Sequence, residues 1–533
     1  MVRSFRRSVF SVLLVILICG FLGVLYGQRA GVTSPSEEAE IRDNLESFTQ
    51  VYDVVEHNYA DHVNPDKAIY NGAIPGMLHV LDPHSNFFDP KSYAALREGQ
   101  RGRYYGVGMQ VGPRNNKVIV IAPFVGSPAY RAGIRPGDVI VAVDGKTTDN
   151  LGTNDVAEML KGPRGTTVHI TMLREGIDKP MDFAVVRDEI PRYSVDTHFL
   201  IRPGIGYMHI EEFTETTEKE VSDALEQFGD LKGLVLDLRG NRGGLLNEGV
   251  GVADKFLKKG AVIVSHHGRN SPEKVYRATH GNDGKIYPLV VLVNRETASA
   301  SEIVAGAIQD HDRGLIVGET SFGKGLVQTV YPLAENTGLA LTTAKYYTPS
   351  GRLIQREYNG VSLYDYYYNP EAENNANKEV KTTDSGRIVY GGGGITPDEK
   401  IPASKANHLQ KLLLFQRYAF FNFAKHYLAN RHIKNDFTAE DAVLQEFRKF
   451  LEQQKIPYTE ADIQENIDWL RANIASELFI AEFGQQEGQR FKLEADPQLL
   501  KALGYLPKAK ELAENSRRII AEKAGARSGL NKN

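Results

Sequence analysis

Apolar residues change their spacing several times along the chain, and each change predicts a different kind of structure. A run from Val9 to Tyr26, interrupted only by Ser11 and glycines, follows Arg3, Arg6 and Arg7. A positive flank before an apolar core marks an export segment whose N-terminus stays inside. The run is long for a signal-peptide core and about long enough to cross a bilayer. No A-x-A site follows it. Residues 1–30 therefore read as an uncleaved signal anchor in preference to a cleaved signal peptide, and either places the rest of the chain outside the cytoplasm. After a small, polar linker, Ile41, Leu45, Phe48, Val51, Tyr52, Val55 and Tyr59 recur every three or four positions. That spacing predicts an N-terminal helical region over 37–86, broken at its end by Asp82-Pro83-His84-Ser85-Asn86.

Over 87–188 the pattern shifts to short β-type runs between Gly/Pro turns. Val118–Ile121, Val139–Val143 and Val168–Leu173 read as strands, and Asn154–Leu160 as a short helix. Within 189–403, Gly233–Leu238 and Leu289–Asn294 are continuous apolar runs ending in polar residues, as strands buried on both faces are. Each leads into a Gly- or Ser-rich turn and a helical segment, the place where open α/β sheets put their active sites. Residues 357–385, rich in Asn, Glu and Tyr, read as an insertion or long surface loop. From 404 to 533 the pattern is helical. There Phe415, Tyr418 and Phe421 offer either a homo-oligomer contact or ordinary core.

Composition narrows the function. At 533 residues the chain exceeds one hydrophobic core. A formal net charge of -4 carries no polybasic signature, which argues against nucleic acid as the partner. The one cysteine, Cys19, lies inside the N-terminal apolar run, so an intramolecular disulfide is impossible and neither a Cys-zinc site nor a Cys nucleophile is expected. No H-E-x-x-H or G-x-S-x-G motif is present, and neither metal nor cofactor is expected.

The chemistry concentrates in two segments, Thr297-Ala298-Ser299-Ala300-Ser301-Glu302 and Ser321-Phe322-Gly323-Lys324-Gly325-Leu326-Val327-Gln328. A serine hydroxyl needs a base. A lysine serves only when neutral, so its ordinary pKa near 10.4 must fall toward roughly 7–8 by desolvation, a cost of about 4 kcal/mol. Gln328 stands on the same side as Lys324 in helix or strand, where its amide oxygen can orient the amine. A plainer reading is also open: Ser299-x-x-Glu302 is a capping box before a helix at Ile303–Ile308.

These segments, with Asp237-Leu238-Arg239-Gly240-Asn241-Arg242-Gly243-Gly244, resemble the active-site blocks of the C-terminal processing (tail-specific) proteases. Tyr105-Gly106-Val107-Gly108, Val125-Gly126-Ser127-Pro128-Ala129 and Gly133–Ile140 resemble a PDZ domain. The resemblance implies an α/β multidomain chain. Its parts are a ClpP/crotonase-like protease core, an inserted PDZ-like domain, and helical regions at both ends. It also implies Ser299 as nucleophile in preference to Ser301, Lys324 as general base, Gln328 as orienter, and the amides of Gly243 and Ala300 as oxyanion hole. Tyr105, Gly106, Val107 and Gly108 would form the loop that grips substrate. The implied activity is endoproteolysis near the C-terminal tails of exported or periplasmic proteins, by an enzyme anchored at the inner membrane. An activating lipoprotein or adaptor partner stays open. Two rivals are a catalytically inactive PDZ-type adaptor that binds C-termini and a non-proteolytic hydrolase on the same core.

Overall fold

The computed structural model describes residues 35–114, 116–369 and 379–530. The apolar run expected to act as a signal anchor lies outside them. Among the described residues no helix is long and apolar enough to cross a membrane.

Two compact units divide the chain at Met77/Leu78. In the first, the predicted helical spacing becomes the helix Pro35–Asn58. Asn64 then caps the short helix Pro65–Ala68 by accepting the Lys67 N–H. Ile41, Leu45, Phe48, Val51 and Val55 remain exposed along the long helix.

The second unit is built on a six-stranded sheet. Its strands run in the order Thr197–Arg202, Ile205–His209, Gly233–Asp237, Leu289–Val293, Leu315–Gly318 and Glu399–Lys400. The first pair is antiparallel and the remainder parallel. The continuous apolar runs follow from burial on both faces. Leu234, Leu236, Val291 and Val293 pack beneath the helix Ala300–Asp310. Val235, Val290 and Leu292 face Leu499, Leu506 and Ala509 of the C-terminal helices. Each such side chain contributes about 1.5–3 kcal/mol on burial. The C-terminal region therefore has two destinations. Leu413, Phe423, Phe447 and Leu478 belong to a helical core of their own, whereas helices Pro497–Gly504 and Leu506–Leu530 roof the sheet.

Beside this sheet an antiparallel one carries the loop-borne chemistry. Its long strand Gly338–Tyr347 pairs with Leu326–Pro332, Val262–Gly268 and the short Asn86–Phe88. The PDZ-like part is a separate β-rich layer around Val120, Ile140, Val143, Val168 and Ile170. Its two chain connections run side by side as the ribbon Arg103–Gly106 against Asp188–Pro191. It leans on the C-terminal helices, where the Arg114 guanidinium lies 3.5 Å from the ring centroid of Tyr418 and 4.8 Å from that of Phe421. Two of the three aromatics offered as oligomer contact or core thus receive an arginine from within the same chain, while Phe415 is exposed. The described residues among 357–385 differ from a surface loop. They contain the helix Leu363–Tyr368, whose Tyr366 is 2% exposed, and the strand Val380–Thr382, which pairs with Ile388–Tyr390 just beyond them.

Candidate active site

Ser299 stands between the strand Leu289–Val293 and the helix Ala300–Asp310, with φ 57° and ψ -117°. A non-glycine residue in that conformation is strained, and the strain is held by its surroundings. The turn before it is tied down first. Asn294 Oδ1 accepts the N–H groups of Gly240, Glu296 and Thr297, and Thr297 Oγ1 donates to the Leu238 carbonyl. Ala298 then donates to the Asn241 carbonyl.

The Ser299-x-x-Glu302 pattern makes only half of a side-chain capping box. The Glu302 carboxylate accepts the Ser299 N–H at 2.8 Å, but the Glu302 N–H goes to the Ser299 carbonyl, also at 2.8 Å. The Ser299 hydroxyl is thereby left out of the cap. Glu302 is itself fully buried and joins the two segments. One oxygen takes Ser299 N–H and Lys324 N–H, and the other takes Ser321 Oγ–H at 2.6 Å and Gly323 N–H at 2.7 Å. Burial pushes this carboxyl above its ordinary range, and the donors around it pull the other way. Tyr346, also buried, adds a second link, its hydroxyl lying 3.1 Å from the Ser299 carbonyl and 2.6 Å from that of Lys324.

Lys324 is half-buried, and its amine donates to Gln328 Oε1 at 3.3 Å. Burial lowers its pKa from the ordinary lysine value, while the charges of Glu302 and Asp82 oppose the shift. The flanking glycines have a steric cause. A Cβ on Gly323, whose φ is +89°, would lie 2.8 Å from the Gly394 amide nitrogen, and one on Gly325 would lie 2.9 Å from that of Gln355. Among the described residues no hydrogen bond joins Lys324 Nζ to Ser299 Oγ.

Ser301 is fully buried and its hydroxyl donates to the Asn241 carbonyl. Gly243 and Ala300 do meet. A Cβ on Gly243 would lie 2.7 Å from Ser299 Cβ and 3.1 Å from the Ala300 nitrogen. Their amides differ. No bond among the described residues takes up the Ala300 N–H, whereas the Gly243 N–H donates to Asn241 Oδ1 at 2.8 Å. Asn241, fully buried, also donates through Nδ2 to Ile210, and so fixes the whole glycine turn.

In the PDZ-like part, Tyr105 is exposed and its hydroxyl reaches Glu189. Gly106, Val107 and Gly108 are buried. The Val107 carbonyl accepts the Ala129 N–H, and the Gly108 carbonyl accepts from Phe124 N–H and Ser127 Oγ–H. The N–H groups of Val107 and Gly108 donate to nothing among the described residues. Successive free amides of that kind suit a carboxylate.

Sequence reasoning passed over His84. Its carbonyl accepts Gln328 Nε2–H at 2.5 Å, and its imidazole Nε2 lies 2.9 Å from the Tyr366 hydroxyl. Burial, helped by the Lys324 charge, pushes the imidazole down to about 4, so it is neutral at pH 7. His84 and Tyr366 pack edge to face with each other and with Phe322 and Tyr367, which are themselves stacked. The one grouping of metal-ligand type among the described residues is Asp196, His209 and Glu211. Burial lowers the His209 pKa, but the Asp196 hydrogen bond and the Asp237 charge outweigh it and push it up to about 9. Protonated, with Nδ1 on Asp196 and Nε2 on the Arg239 carbonyl, the ring has no lone pair for a metal.

Known sequences place this arrangement. The profile of Peptidase family S41 matches residues 204–362 and that of a PDZ domain residues 120–174. The Activating protease CtpB N-terminal domain matches 26–92, and a Probable PDZ-protease, C-terminal helical domain, matches 410–461. The carboxy-terminal-processing protease of Bartonella bacilliformis is 39% identical over 330 residues, covering 61% of this chain and 75% of the relative. The chain belongs to the carboxy-terminal processing proteases. It is a serine-type peptidase whose substrates are proteins or peptides. The carboxy-terminal processing protease CtpA of Bacillus subtilis is 33% identical over 386 residues, 70% of this chain and 79% of that one. Among solved structures, the photosystem II D1 C-terminal processing protease is 31% identical, with a TM-score of 0.34, over 65% of this chain and 85% of its own.

Proposed function

We propose that this protease cleaves near the C-terminal tails of exported proteins through a Ser299 acyl-enzyme, with Lys324 as general base and Gln328 as its orienter. The observation that carries the reading is the state of the two side chains. Ser299 Oγ is free of its helix cap on a strained turn, and a half-buried lysine of lowered pKa is already bonded to Gln328. Lys324 Nζ takes the Ser299 proton as Oγ attacks the scissile carbonyl, returns it to the leaving amine, and then activates water for deacylation. The Ala300 amide supports the oxyanion. The Gly243 amide, bonded to Asn241 Oδ1, joins it once it turns toward the substrate. The Val107 and Gly108 amides take the substrate's terminal carboxylate. The Arg-flanked N-terminal run supports export and anchoring at the outer face of the inner membrane.

Labelling with a fluorophosphonate tests this reading. The adduct is expected on Ser299, at a rate that rises with pH along the titration of Lys324 and collapses in Lys324→Ala. An adduct on another serine, or a rate indifferent to Lys324, overturns it.

A further inference from the structure

A side-chain amide has two unlike ends, a donor and an acceptor, and nothing within Gln328 itself decides which end faces the lysine. The decision lies outside the strand. Gln328 Nε2 donates to the carbonyl of His84, which leaves Oε1 as the only end that can meet Lys324 Nζ. That carbonyl is placed by a turn whose centre is Asp82, 5% exposed. Asp82 Oδ1 accepts the N–H groups of His84 and Ser85 at 2.7 and 2.8 Å, and Oδ2 accepts Ser85 Oγ–H at 2.7 Å. Ser85 Oγ in turn accepts the N–H of Thr342, the residue paired with Gln328 across the sheet. On the other side the His84 imidazole meets the Tyr366 hydroxyl, and the Tyr367 hydroxyl donates to the Pro83 carbonyl at 2.8 Å.

We infer that the Asp82–Ser85 turn is a positioning element of the protease: it fixes the orientation of Gln328, and through it the aim of Lys324 at Ser299. The inference rests on the Ser/Lys reading above. Asp82, His84 and Tyr366 touch no reacting atom in this scheme; their hydrogen bonds act through Gln328, while the Asp82 charge also reaches Lys324 directly and holds its pKa up. Loss of those hydrogen bonds leaves the amine in place but free to rotate away from the hydroxyl. The loss falls on kcat, because a misaimed base harms the reacting geometry and leaves tail binding alone.

The test is a pair of double-mutant cycles on tail-peptide cleavage by the full chain, comparing Gln328→Ala with Asp82→Asn and with Tyr366→Phe. Read on the high-pH plateau, where loss of the Asp82 charge no longer changes the fraction of neutral Lys324, Asp82→Asn is expected to lower kcat on the order of tenfold or more, with KM unchanged. Tyr366→Phe keeps the ring and loses only the hydroxyl, so it guards against a fold defect in Asp82→Asn and is expected to lower kcat by a few-fold. In the Gln328→Ala background neither is expected to cost anything further, since the group they position is gone. A merely structural role would scale both backgrounds alike. Losses that multiply, or an Asp82→Asn enzyme with unchanged kcat, overturn the inference while leaving the Ser/Lys reading in place. If Gln328→Ala itself is fully active, the orienter assignment fails first and the inference with it.

Discussion

Replacing Glu302 by glutamine separates its two roles. The carboxylate receives four donors: Ser299 and Lys324 N–H on one oxygen, Ser321 Oγ–H and Gly323 N–H on the other. With donors on every side and no acceptor facing it, the bonded form is the carboxylate. An amide of the same shape keeps one accepting oxygen and turns an NH2 toward the other pair. In its best placement Oε1 serves Ser299 and Lys324, while Ser321 rotates its hydroxyl to accept. Gly323 N–H is then orphaned. One buried, unsatisfied donor costs about 1–3 kcal/mol, and weakening the charge-assisted bonds adds about 1–2 more. A loss of about 3 kcal/mol is expected, read as a midpoint shift in urea at constant slope. The second signature concerns pH. The Glu302 charge holds the Lys324 pKa up against burial. Cleavage needs neutral Lys324, so activity rises with pH through that pKa. Removing the charge lowers the pKa further, and the rising limb of kcat/KM must move to lower pH in Glu302→Gln. A variant of unchanged midpoint and unchanged limb would refute the account of Glu302 as the joint between nucleophile and base.

Other expectations follow from the same geometry. Gly243→Ala sets a Cβ 2.7 Å from Ser299 Cβ at a φ of +98°; kcat on a tail peptide should fall by about 10²-fold or more with the far-UV spectrum retained, and activity near wild type would contradict the placement of this turn. Ser301→Ala removes only the bond to the Asn241 carbonyl. It should keep activity within a few-fold and cost about 1 kcal/mol by chemical denaturation, whereas an inactive, well-folded variant would reinstate Ser301 as nucleophile. Arg114→Ala removes the guanidinium from Tyr418 and Phe421; the loss of about 0.5–2 kcal/mol should appear as faster hydrogen exchange where the PDZ-like layer meets the C-terminal helices, and unchanged exchange there would show that the contact holds nothing.

The parts that were legible in the sequence are those set by local pattern. Gly233–Asp237 and Leu289–Val293 declare themselves because strands buried on both faces have no polar side to alternate with. Ser299, Lys324 and Gln328 are recognisable by resemblance, and the structure brings their segments together. What escaped is what only tertiary contact creates. Glu302 reads as a capping residue, since its other donors come from a loop far along the chain. His84 sits in a segment that looks like a helix breaker, and its partner Gln328 lies 244 positions away. The Tyr-rich stretch looks like solvent-facing loop because its polar and aromatic residues alternate without period, yet Tyr366 is a buried wall of the site. For Gly243 the neighbourhood was legible and the direction of the N–H was not, since that depends on the Asn241 side chain.

The central claim is that Ser299 and Lys324 together cut the chain. The most direct measurement follows an unfolded substrate with a free apolar C-terminus in the presence of the wild type, Ser299→Ala and Lys324→Ala, with tail binding recorded alongside. The account predicts cleavage by the wild type and none above background by either variant, with binding retained by all three. Full activity in Lys324→Ala, or a wild type that binds the tail and never cuts it, would contradict it.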